Sequence, residues 1–329
     1  MMDVSIVIVN YNSASMIANC ITSVQQNISS VSYEIIVVDN NSSITDRENL
    51  KAIQGIDYLI FNDSNVGFGT ANNIGVKAAS GKWLLLLNPD TLVLNDICEE
   101  FITARESLPC LHIGITGCNQ KNLDMTDNHS AGTFAGHQLN SFLRGEFRQN
   151  CTKQLLSLLR RKSTIPRTAM NTNTQIHNIP YEEVDWVNGA CLFLATDLFR
   201  SIGGFDEHIF LFSEEVDLQK RLHLAGYRQY LVDGPLVVHL HENKRKMSNR
   251  TRIYFYEGYF VYARKYNPLP LYTAMKFILF LILCAGSLLD LITKRYSAAD
   301  NRFMLKTLFF STQARASTPV IESCSPEKD

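Results

Sequence analysis

Acidic residues that could take part in catalysis or metal binding occur at two places in the sequence, and Asp90 is at the first of them. It closes the run GKWLLLLNPD, in which four leucines are followed by Asn88, Pro89 and Asp90. A carboxylate at the tip of a buried strand can bind a divalent cation together with phosphate oxygens of a substrate. Aspartate is also an ordinary turn and capping residue, so Asp90 alone leaves a structural role open.

Glu214, Glu215 and Asp217 form the second group, at an expected helix start directly after the apolar run FLF. Clustered like charges beside apolar side chains raise a carboxyl pKa, which suits a general base. Two structural explanations stay open. Acidic residues are favoured in the first turn of a helix, and Asp217 has Arg221 four positions on as an ion-pair partner.

Two further features point to a phosphate-containing ligand. The loop NVGFGTAN carries Gly67 and Gly69 ahead of an expected helix, where backbone can approach a diphosphate. Its spacing is not the GxGxxG of dinucleotide-binding proteins. His239 and His241 end the last expected strand, and alternate residues of a strand point to opposite faces, so only one of them reaches the site. Histidine is a ligand for Mn²⁺, with a structural histidine as the alternative.

The elements that must position these residues alternate between strands and helices. The runs DVSIVIVNYN, YEIIVVDNNS, DYLIFN and KWLLLLNPD predict strands, with helices expected over 13–26, near 46–54 and over 72–79. This alternation predicts a mostly parallel sheet with helices on both faces. The strands end in Asn10, Asp39, Asn62, Asn88 and Asp90. Ligands of such sheets bind outside the carboxyl ends of the strands, which is where these polar residues are expected.

Composition limits the class of protein. The chain has 329 residues, 46% of them hydrophobic, so it can bury a large core. Its 31 basic and 32 acidic residues give a net charge of −1, which offers no basic footprint for nucleic acid. The eight cysteines show no CxxC or zinc-type spacing, and we expect reduced thiols in a cytoplasmic protein.

One segment departs from a soluble composition. Residues 269–292 read LPLYTAMKFILFLILCAGSLLDLI, with only Lys276 and Asp290 charged. Its charge-free part is short for a membrane span of about 20 residues. A helix lying in the membrane interface, a crossing helix and a helix packed on the main domain are the three interpretations.

Taken together, these stretches resemble the family 2 inverting glycosyltransferases of GT-A fold, and within them the subgroup that transfers rhamnose in O-antigen and cell-wall polysaccharide assembly. The resemblance rests on seven stretches in the family's order: VSIVIVNYNS, EIIVVDNNS, NVGFGTANNIG, GKWLLLLNPDT, DWVNGACLF, GGFDEHIFLFSEEVDLQKRLHLAGY and VVHLH. It implies an α/β nucleotide-diphospho-sugar transferase fold over residues 1–265, with a nucleotide-sugar half at 1–118 and an acceptor half at 181–245. A membrane-associating helical segment at 266–296 and a partly disordered tail at 297–329 are expected to follow.

The resemblance also implies roles for individual residues. Asn88 and Asp90 match the family's metal motif, commonly written DxD, with Asn88 in place of the first aspartate. Asp90 and His239 are then the expected ligands of a divalent cation, Mg²⁺ or Mn²⁺. The expected donor-binding residues are Val9, Asn10, Asp39, Asn65, Gly67, Gly69, Asn72 and Asn88, and the expected acceptor-binding residues are Trp186, Gly189 and Ala190.

Glu215 is the residue to which the resemblance assigns the general base. The family usually reads Glu-Asp where this chain has Glu214-Glu215, and the second acid removes the proton from the acceptor hydroxyl. Because glutamate is one methylene longer, either the backbone is displaced to compensate, or Glu214 or Asp217 shares the role. The deprotonated hydroxyl attacks the anomeric carbon in line, and a single displacement inverts it.

The implied function is transfer of a sugar, with L-rhamnose from dTDP-rhamnose as first choice, to a saccharide on a polyprenyl diphosphate. Such an enzyme would work at the cytoplasmic face of the bacterial inner membrane, peripherally or with a C-terminal anchor. Two alternatives stay open. One is another donor, such as UDP-glucose, UDP-galactose or an N-acetylhexosamine, and the other is an inactive sugar-nucleotide-binding protein. The sequence leaves the oligomeric state open.

Overall fold

The computed structural model describes residues 2–107, 112–128, 130–134, 181–240, 248–293, 305, 308–309 and 320–322. The chain divides into two compact units, one drawn from Met1–Thr133, Asn173–Lys244 and Arg315–Asp329 and the other from Phe134–Thr172 and Arg245–Ala314. All the predicted site residues belong to the first unit. The predicted domain limits at 265 and 296 stay a prediction. His241 and almost all of the predicted tail lie outside the described residues.

The first unit is built on a mixed sheet. The strands are β1 (Val4–Asn10), β2 (Tyr33–Asp39), β3 (Tyr58–Phe61), β4 (Trp83–Leu87), β5 (Thr91–Val93), β6 (Ile113–Lys121), β7 (Ala131–Gly132), β8 (Tyr181–Val184), β9 (Trp186–Val187), β10 (Cys191–Ala195), β11 (Arg228–His239) and β12 (Val320–Glu322). Their order in the main sheet is β12-β3-β2-β1-β4-β10-β6-β11-β5, with β8 also paired to β11, and β7 pairs with β9 in a small second sheet.

Helices flank this sheet. They are α1 (Ala14–Asn27), α2 (Ile44–Lys51), α3 (Phe68–Ala78), α4 (Ile97–Glu106), α5 (Thr196–Ser201) and α6 (Glu214–Leu224). Helix α3 begins before the predicted Asn72 because Gly67, with a φ of 92°, supplies its N-cap. Ser13, the first residue of the predicted helix, is the N-cap of α1, and its side chain makes no cap hydrogen bond. The Asp46 carboxylate instead accepts a hydrogen bond from the Ala14 N–H at 3.0 Å.

Strand pairing follows the sequence pattern. All residues of β1 are buried, which fits a strand that pairs in parallel with β2 on one side and β4 on the other. The last residues of β1 and β2, Asn10 and Asp39, lie opposite each other in register. The predicted polar residues therefore do meet at the carboxyl edge. The mostly parallel sheet flanked by helices is confirmed, and β10 runs antiparallel to its neighbours β4 and β6.

Alternate residues of the central strands enter two hydrophobic cores, one on each face of the sheet. Ile6 and Ile8 belong to the core that includes residues of α1 and α4. Val7 and Val9 belong to the core that includes residues of α3 and α6. Because both faces are covered, the apolar runs are continuous rather than alternating.

The second unit contains α7 (Asn249–Tyr266) and α8 (Leu269–Thr293). The two helices pack through aromatic residues of α7 such as Tyr256 and Tyr259 and through Leu279 and Leu283 of α8. Helix α8 covers the apolar segment singled out in the sequence. No helix in the described part of the chain is both long enough and apolar enough to cross a membrane.

Candidate functional site

Asp90 and His239 lie together at the carboxyl edge of the sheet. Asp90 follows β4 and His239 is the last residue of β11, and the Asp90 Oδ1 is 3.2 Å from the His239 Nε2. The N–H of Leu240, the residue after His239, donates to the Asp90 carbonyl oxygen at 2.8 Å, so the backbone at the end of β11 is bonded to the backbone of Asp90. Within the described ranges, no group of three or more His, Cys, Asp or Glu side chains could hold a metal ion. Asp90 thus contributes a carboxylate and His239 an imidazole at this point, as far as the described residues go.

Asn88 connects this pair to the predicted acceptor side. Its N–H donates to the Ala190 carbonyl oxygen at 2.9 Å, and its own carbonyl oxygen accepts from the Thr91 hydroxyl at 2.7 Å. The Asn88 Oδ1 is buried without a hydrogen-bond partner. A buried amide oxygen left without a donor costs free energy, so a ligand group that donates to it would be favoured there.

Cys20 is a neighbour of this turn that sequence reasoning missed. Its thiol lies 3.7 Å from the Asn88 carbonyl oxygen and 3.6 Å from the Thr91 hydroxyl. Burial, reinforced by the charge of Asp90, raises the pKa of Cys20 to about 12, so the thiol stays protonated. Cys20, Cys98, Cys118, Cys191 and Cys284 are all free thiols; the other three cysteines lie outside the described residues.

The predicted base-side residues are buried and bonded to one another. Asn10 and Asp39 are 0% exposed, and the Asn10 Nδ2 donates to the Asp39 Oδ1 at 2.8 Å and to the Asp46 Oδ2 at 2.7 Å. The Arg47 Nε donates to the Asp39 Oδ2 at 2.8 Å. Val9 is buried beside them. Direct contact of these residues with the donor stays a prediction, and in this structure they form a buried hydrogen-bond network. The sequence analysis did not single out Arg47, which belongs to this network.

The glycine loop packs closely against the segment that leads to the acidic helix. The Phe68 N–H donates to the Phe210 carbonyl oxygen at 2.9 Å, and a Cβ on Gly67 would collide with that oxygen. A Cβ on Gly69 would lie 2.9 Å from the Phe205 Cβ and 3.5 Å from the Glu214 Cβ. The packing of the protein itself therefore requires glycine at both positions, and both glycines are buried. Approach of this backbone to a diphosphate stays a prediction.

The two predicted asparagines of this loop hold its shape. The Asn65 Oδ1 accepts from the Gly67 N–H at 3.1 Å and from the Asn40 Nδ2 at 2.9 Å. The buried Asn72 donates to the Phe68 carbonyl oxygen at 3.0 Å. Their observed bonds are within the protein, so donor contact by either side chain stays a prediction.

Glu214 and Glu215 begin α6 and approach different parts of the site. The Glu214 side chain is next to the glycine loop, whereas the Glu215 Cβ would be 3.4 Å from a Cβ built on Gly189. The Oε2 atom of each is buried with no hydrogen-bond partner. Burial raises the pKa of both carboxyls, and the neighbouring charge of Glu215 raises that of Glu214 further. A buried carboxylate with a raised pKa has the chemistry of a general base.

Asp217 is engaged in a different way. It is 0% exposed, and its Oδ2 accepts from the Arg221 Nε at 2.9 Å. Arg221 also donates to the carbonyl oxygens of Ile202 at 2.8 Å and Gly204 at 2.6 Å. This arrangement matches the structural ion pair that the spacing allowed, and it anchors α6 to the preceding turn. It gives no support to Asp217 as a partner in proton transfer.

The predicted acceptor residues lie between these two parts of the site. Trp186 donates from its Nε1 to the Thr133 carbonyl oxygen at 3.1 Å, and Gly189 and Ala190 form the turn that touches Glu215 and Asn88. The backbone of Val187 is bonded by the side chain of Gln219 on α6. Nothing in the sequence pattern indicated Gln219.

Comparison with known proteins identifies the family to which these elements belong. Residues 5–163 match the family model described as Glycosyl transferase family 2. The chain carries a family 2 glycosyltransferase domain. The predicted family and the predicted enzyme class, a glycosyltransferase, are thereby confirmed.

Curated relatives of this transferase include two rhamnosyltransferases. It is 26% identical over 242 residues to rhamnosyltransferase WbbL of Escherichia coli K12, covering 71% of this chain and 83% of WbbL. It is also 26% identical over 220 residues to N-acetylglucosaminyl-diphospho-decaprenol L-rhamnosyltransferase of Mycobacterium tuberculosis, covering 62% of this chain and 66% of that protein.

Among solved structures, a crystal structure of GalNAc-T7 with UDP, GalNAc and Mn²⁺ is similar, with a TM-score of 0.52 and 15% identity. The match covers 80% of this chain and 48% of that one. At this identity the similarity concerns the fold alone, and it confirms the predicted GT-A fold.

The buried glutamate pair leads to a prediction about stability. A carboxyl whose folded-state pKa is raised stabilises the fold below its ordinary pKa, near 4.5, and this contribution is lost as pH rises through the folded value. Glu214→Gln removes the titration while keeping the shape. We therefore expect the melting temperature of the variant to exceed that of the wild type increasingly from pH 5 to pH 8, as measured by calorimetry.

The exposed Glu48, replaced by Gln, is the matched control, since its side chain is 65% exposed. Its melting temperature should follow the wild-type pH dependence. An equal or falling difference for Glu214→Gln across this range would contradict the buried, raised-pKa state of Glu214.

Proposed function

We propose that this transferase moves L-rhamnose from dTDP-L-rhamnose to a hydroxyl of a polyprenyl-diphosphate-linked saccharide, with inversion, in O-antigen or other surface polysaccharide synthesis. Two relatives are rhamnosyltransferases, which supports the choice of sugar, and the name of the mycobacterial relative supports a lipid-linked acceptor. The observation that carries the proposal is structural. The hydrogen bond from Asn88 to Ala190 joins the Asp90–His239 pair to the turn beside Glu215.

Glu215 is the group we assign to the acceptor hydroxyl. It lies against Gly189, on the acceptor side, whereas Glu214 lies against the glycine loop. In its ionised form Glu215 accepts the hydroxyl proton while the oxygen forms its bond to the anomeric carbon. The bond from that carbon to the diphosphate breaks in the same step. Burial shields the carboxylate from water, which keeps it basic until the acceptor binds.

The residues present fit a divalent cation such as Mn²⁺ or Mg²⁺. Asp90 and His239 converge within 3.2 Å, and oxygen and imidazole ligands suit Mn²⁺, with substrate phosphate oxygens completing its coordination. The Oδ1 of Asn88, two residues before Asp90 in the chain, is buried without a hydrogen-bond partner. When bound, the cation would offset negative charge on the leaving nucleoside diphosphate.

Attachment to the cytoplasmic face of the bacterial inner membrane is part of the proposal. Helix α8 exposes a row of apolar side chains while Arg264 and Lys265 are exposed at the end of α7. Apolar side chains with basic residues are typical of a helix lying in an anionic lipid interface. The exposed apolar residues are Leu269, Leu271, Phe277, Ile278 and Leu281.

A donor screen tests the sugar. The full chain is incubated with a short-chain polyprenyl-diphosphate N-acetylglucosamine acceptor and, separately, dTDP-L-rhamnose, UDP-glucose, UDP-galactose and UDP-N-acetylglucosamine, with Mn²⁺, Mg²⁺ or EDTA. We expect dTDP-L-rhamnose to exceed each other donor at least about tenfold in kcat/KM, measured by label transferred to the lipid.

A larger kcat/KM with another donor would overturn the choice of rhamnose while leaving the transferase assignment intact. Binding of nucleotide sugars without transfer from any of them would favour an inactive sugar-nucleotide-binding protein. The departures Asn88 and Glu215 from the family's usual residues are what give that alternative weight.

Replacing Asp90 tests the cation site. Asp90→Asn keeps the size of the side chain, which is 24% exposed, so little stability should be lost. We expect kcat to fall about 100-fold or more because charge on the leaving group is no longer offset. Titration of Mn²⁺ by calorimetry should show weakened binding. Asp197→Asn, fully exposed on α5, is the control; near-wild-type turnover of Asp90→Asn would refute the assignment.

Replacing the exposed apolar face of α8 tests membrane attachment. The triple variant Phe277→Ser, Ile278→Ser, Leu281→Ser should bind phosphatidylglycerol vesicles at least about 100-fold more weakly, since each side chain contributes about 1.5–3 kcal/mol when buried. Vesicle cosedimentation is the measurement. A matched triple of exposed apolar residues elsewhere, Ile44, Leu123 and Leu224 to Ser, should bind as the wild type does. Equal binding by both triples would contradict the proposal.

A further inference from the structure

Gln219 makes an unusual set of hydrogen bonds for a helix residue. Its side chain lies in the middle of α6 and is 0% exposed. The Oε1 accepts from the Val187 N–H at 2.8 Å. The Nε2 donates to the Val187 carbonyl oxygen at 2.8 Å and to the Glu215 carbonyl oxygen at 2.9 Å. One amide therefore bonds both backbone groups of one strand residue and the backbone of the assigned base.

Both ends of this bridge are themselves fixed. Val187 is 1% exposed, and its side chain fills the space that a Cβ on Gly117 would occupy. The Gln219 carbonyl oxygen accepts from the Gln229 Nε2 at 3.1 Å, which ties α6 to β11. Because Val187 is packed against Gly117 and α6 is bonded to β11, the Gln219 amide sets the distance between β9 and α6.

The bridge acts on the reacting groups through short segments. Val187 directly precedes the turn from Asn188 to Ala190, and Gly189 in that turn lies against the Glu215 side chain. Glu215 lies one helical turn before Gln219, and its carbonyl oxygen accepts a hydrogen bond from the Gln219 Nε2. A shift of β9 away from α6 would therefore widen the space between Glu215 and the turn that we assign to the acceptor.

We propose that Gln219 is a positioning residue that holds the acceptor-side turn at a fixed distance from Glu215 and so determines how well an acceptor hydroxyl meets the base. This inference rests on the proposed roles of Glu215 and of the 188–190 turn. Gln219 touches no reacting atom itself; it acts through Val187 and Glu215. The role requires one side chain that both accepts from the Val187 N–H and donates to the Val187 carbonyl oxygen. A glutamine amide has the length and the two kinds of atom to do this.

Asn73 is a matched control with the same chemistry elsewhere. Its Oδ1 accepts from the Phe205 N–H at 2.9 Å and its Nδ2 donates to the Phe205 carbonyl oxygen at 2.9 Å. It ties α3 to the segment before α6, and none of its hydrogen bonds involves the acceptor-side turn. Its replacement removes an equivalent pair of bonds without loosening β9 from α6.

The test compares Gln219→Leu, Gln219→Glu and Asn73→Leu in transfer assays with dTDP-L-rhamnose and the polyprenyl-diphosphate acceptor. We expect Gln219→Leu to lower kcat/KM for the acceptor about 100-fold, the effect of misplacing reacting groups by about 1 Å. Binding of dTDP to the variant should change by no more than about threefold, since the donor residues are untouched. Gln219→Glu keeps the acceptor for the Val187 N–H, but its second oxygen faces the carbonyl oxygens of Val187 and Glu215 and cannot donate to them as a carboxylate. This variant should therefore also lower kcat/KM for the acceptor.

Melting temperatures separate positioning from general damage. Asn73→Leu should lose comparable stability without a rise in the acceptor KM. The inference is overturned if Gln219→Leu keeps wild-type acceptor kinetics, or if Asn73→Leu raises the acceptor KM equally. Should Gln219→Leu not fold, the comparison of Gln219→Glu with Asn73→Leu decides. Absence of transfer by the wild type would instead refute the proposed function, so the two failures are distinguishable.

Discussion

The pairing of β4 with β10 is the constraint on which the site depends. β4 runs parallel to β1, and β10 runs antiparallel to β4 with Leu87 opposite Cys191. The end of β4 therefore meets the beginning of β10. This register brings the turn from Asn188 to Ala190 to the point where Asn88 leaves the sheet, and the hydrogen bond from Asn88 to Ala190 follows from it. Residues about a hundred positions apart are thus brought together in the candidate site by strand pairing.

Whether the sequence predicted a residue of this candidate site depends on how far apart in the chain its contacts are. The buried run ending in Asn88 and Asp90 is a local pattern, and parallel pairing alone places such strand ends at one edge. The structure brings Asp90 and His239 together, although they are on distant strands, because both end at that edge. Gln219 and Cys20 carry no local signal. Their importance comes from single contacts with residues distant in sequence, Val187 and Asn88, which periodicity does not encode.

The start of α6 is held in a state that is costly by itself. Phe212 and Ser213 both adopt left-handed backbone, with φ of 66° and 73°, at a cost of about 1–3 kcal/mol each for residues other than glycine. Glu214 and Glu215 then follow with buried, unpartnered oxygens. Contacts on either side offset this cost: Arg221 bonds the turn before the helix, and the Phe210 carbonyl oxygen is bonded by the glycine loop. Such local strain is typical of functional sites whose surroundings are rigid.

The carboxylates along the carboxyl edge differ in whether an arginine is paired with them. Asp39 is paired with Arg47 and Asp217 with Arg221, each at 3 Å or less. These two carboxylates are neutralised within the protein and hold its shape. Asp90 lies beside the His239 imidazole, and the Glu215 Oε2 is buried without a hydrogen-bond partner. The first is therefore suited to attract a cation, and the second, held at a raised pKa by burial, to accept a proton. In the proposed mechanism the Asn88–Ala190 hydrogen bond would lie between the bound cation and the group that accepts the proton.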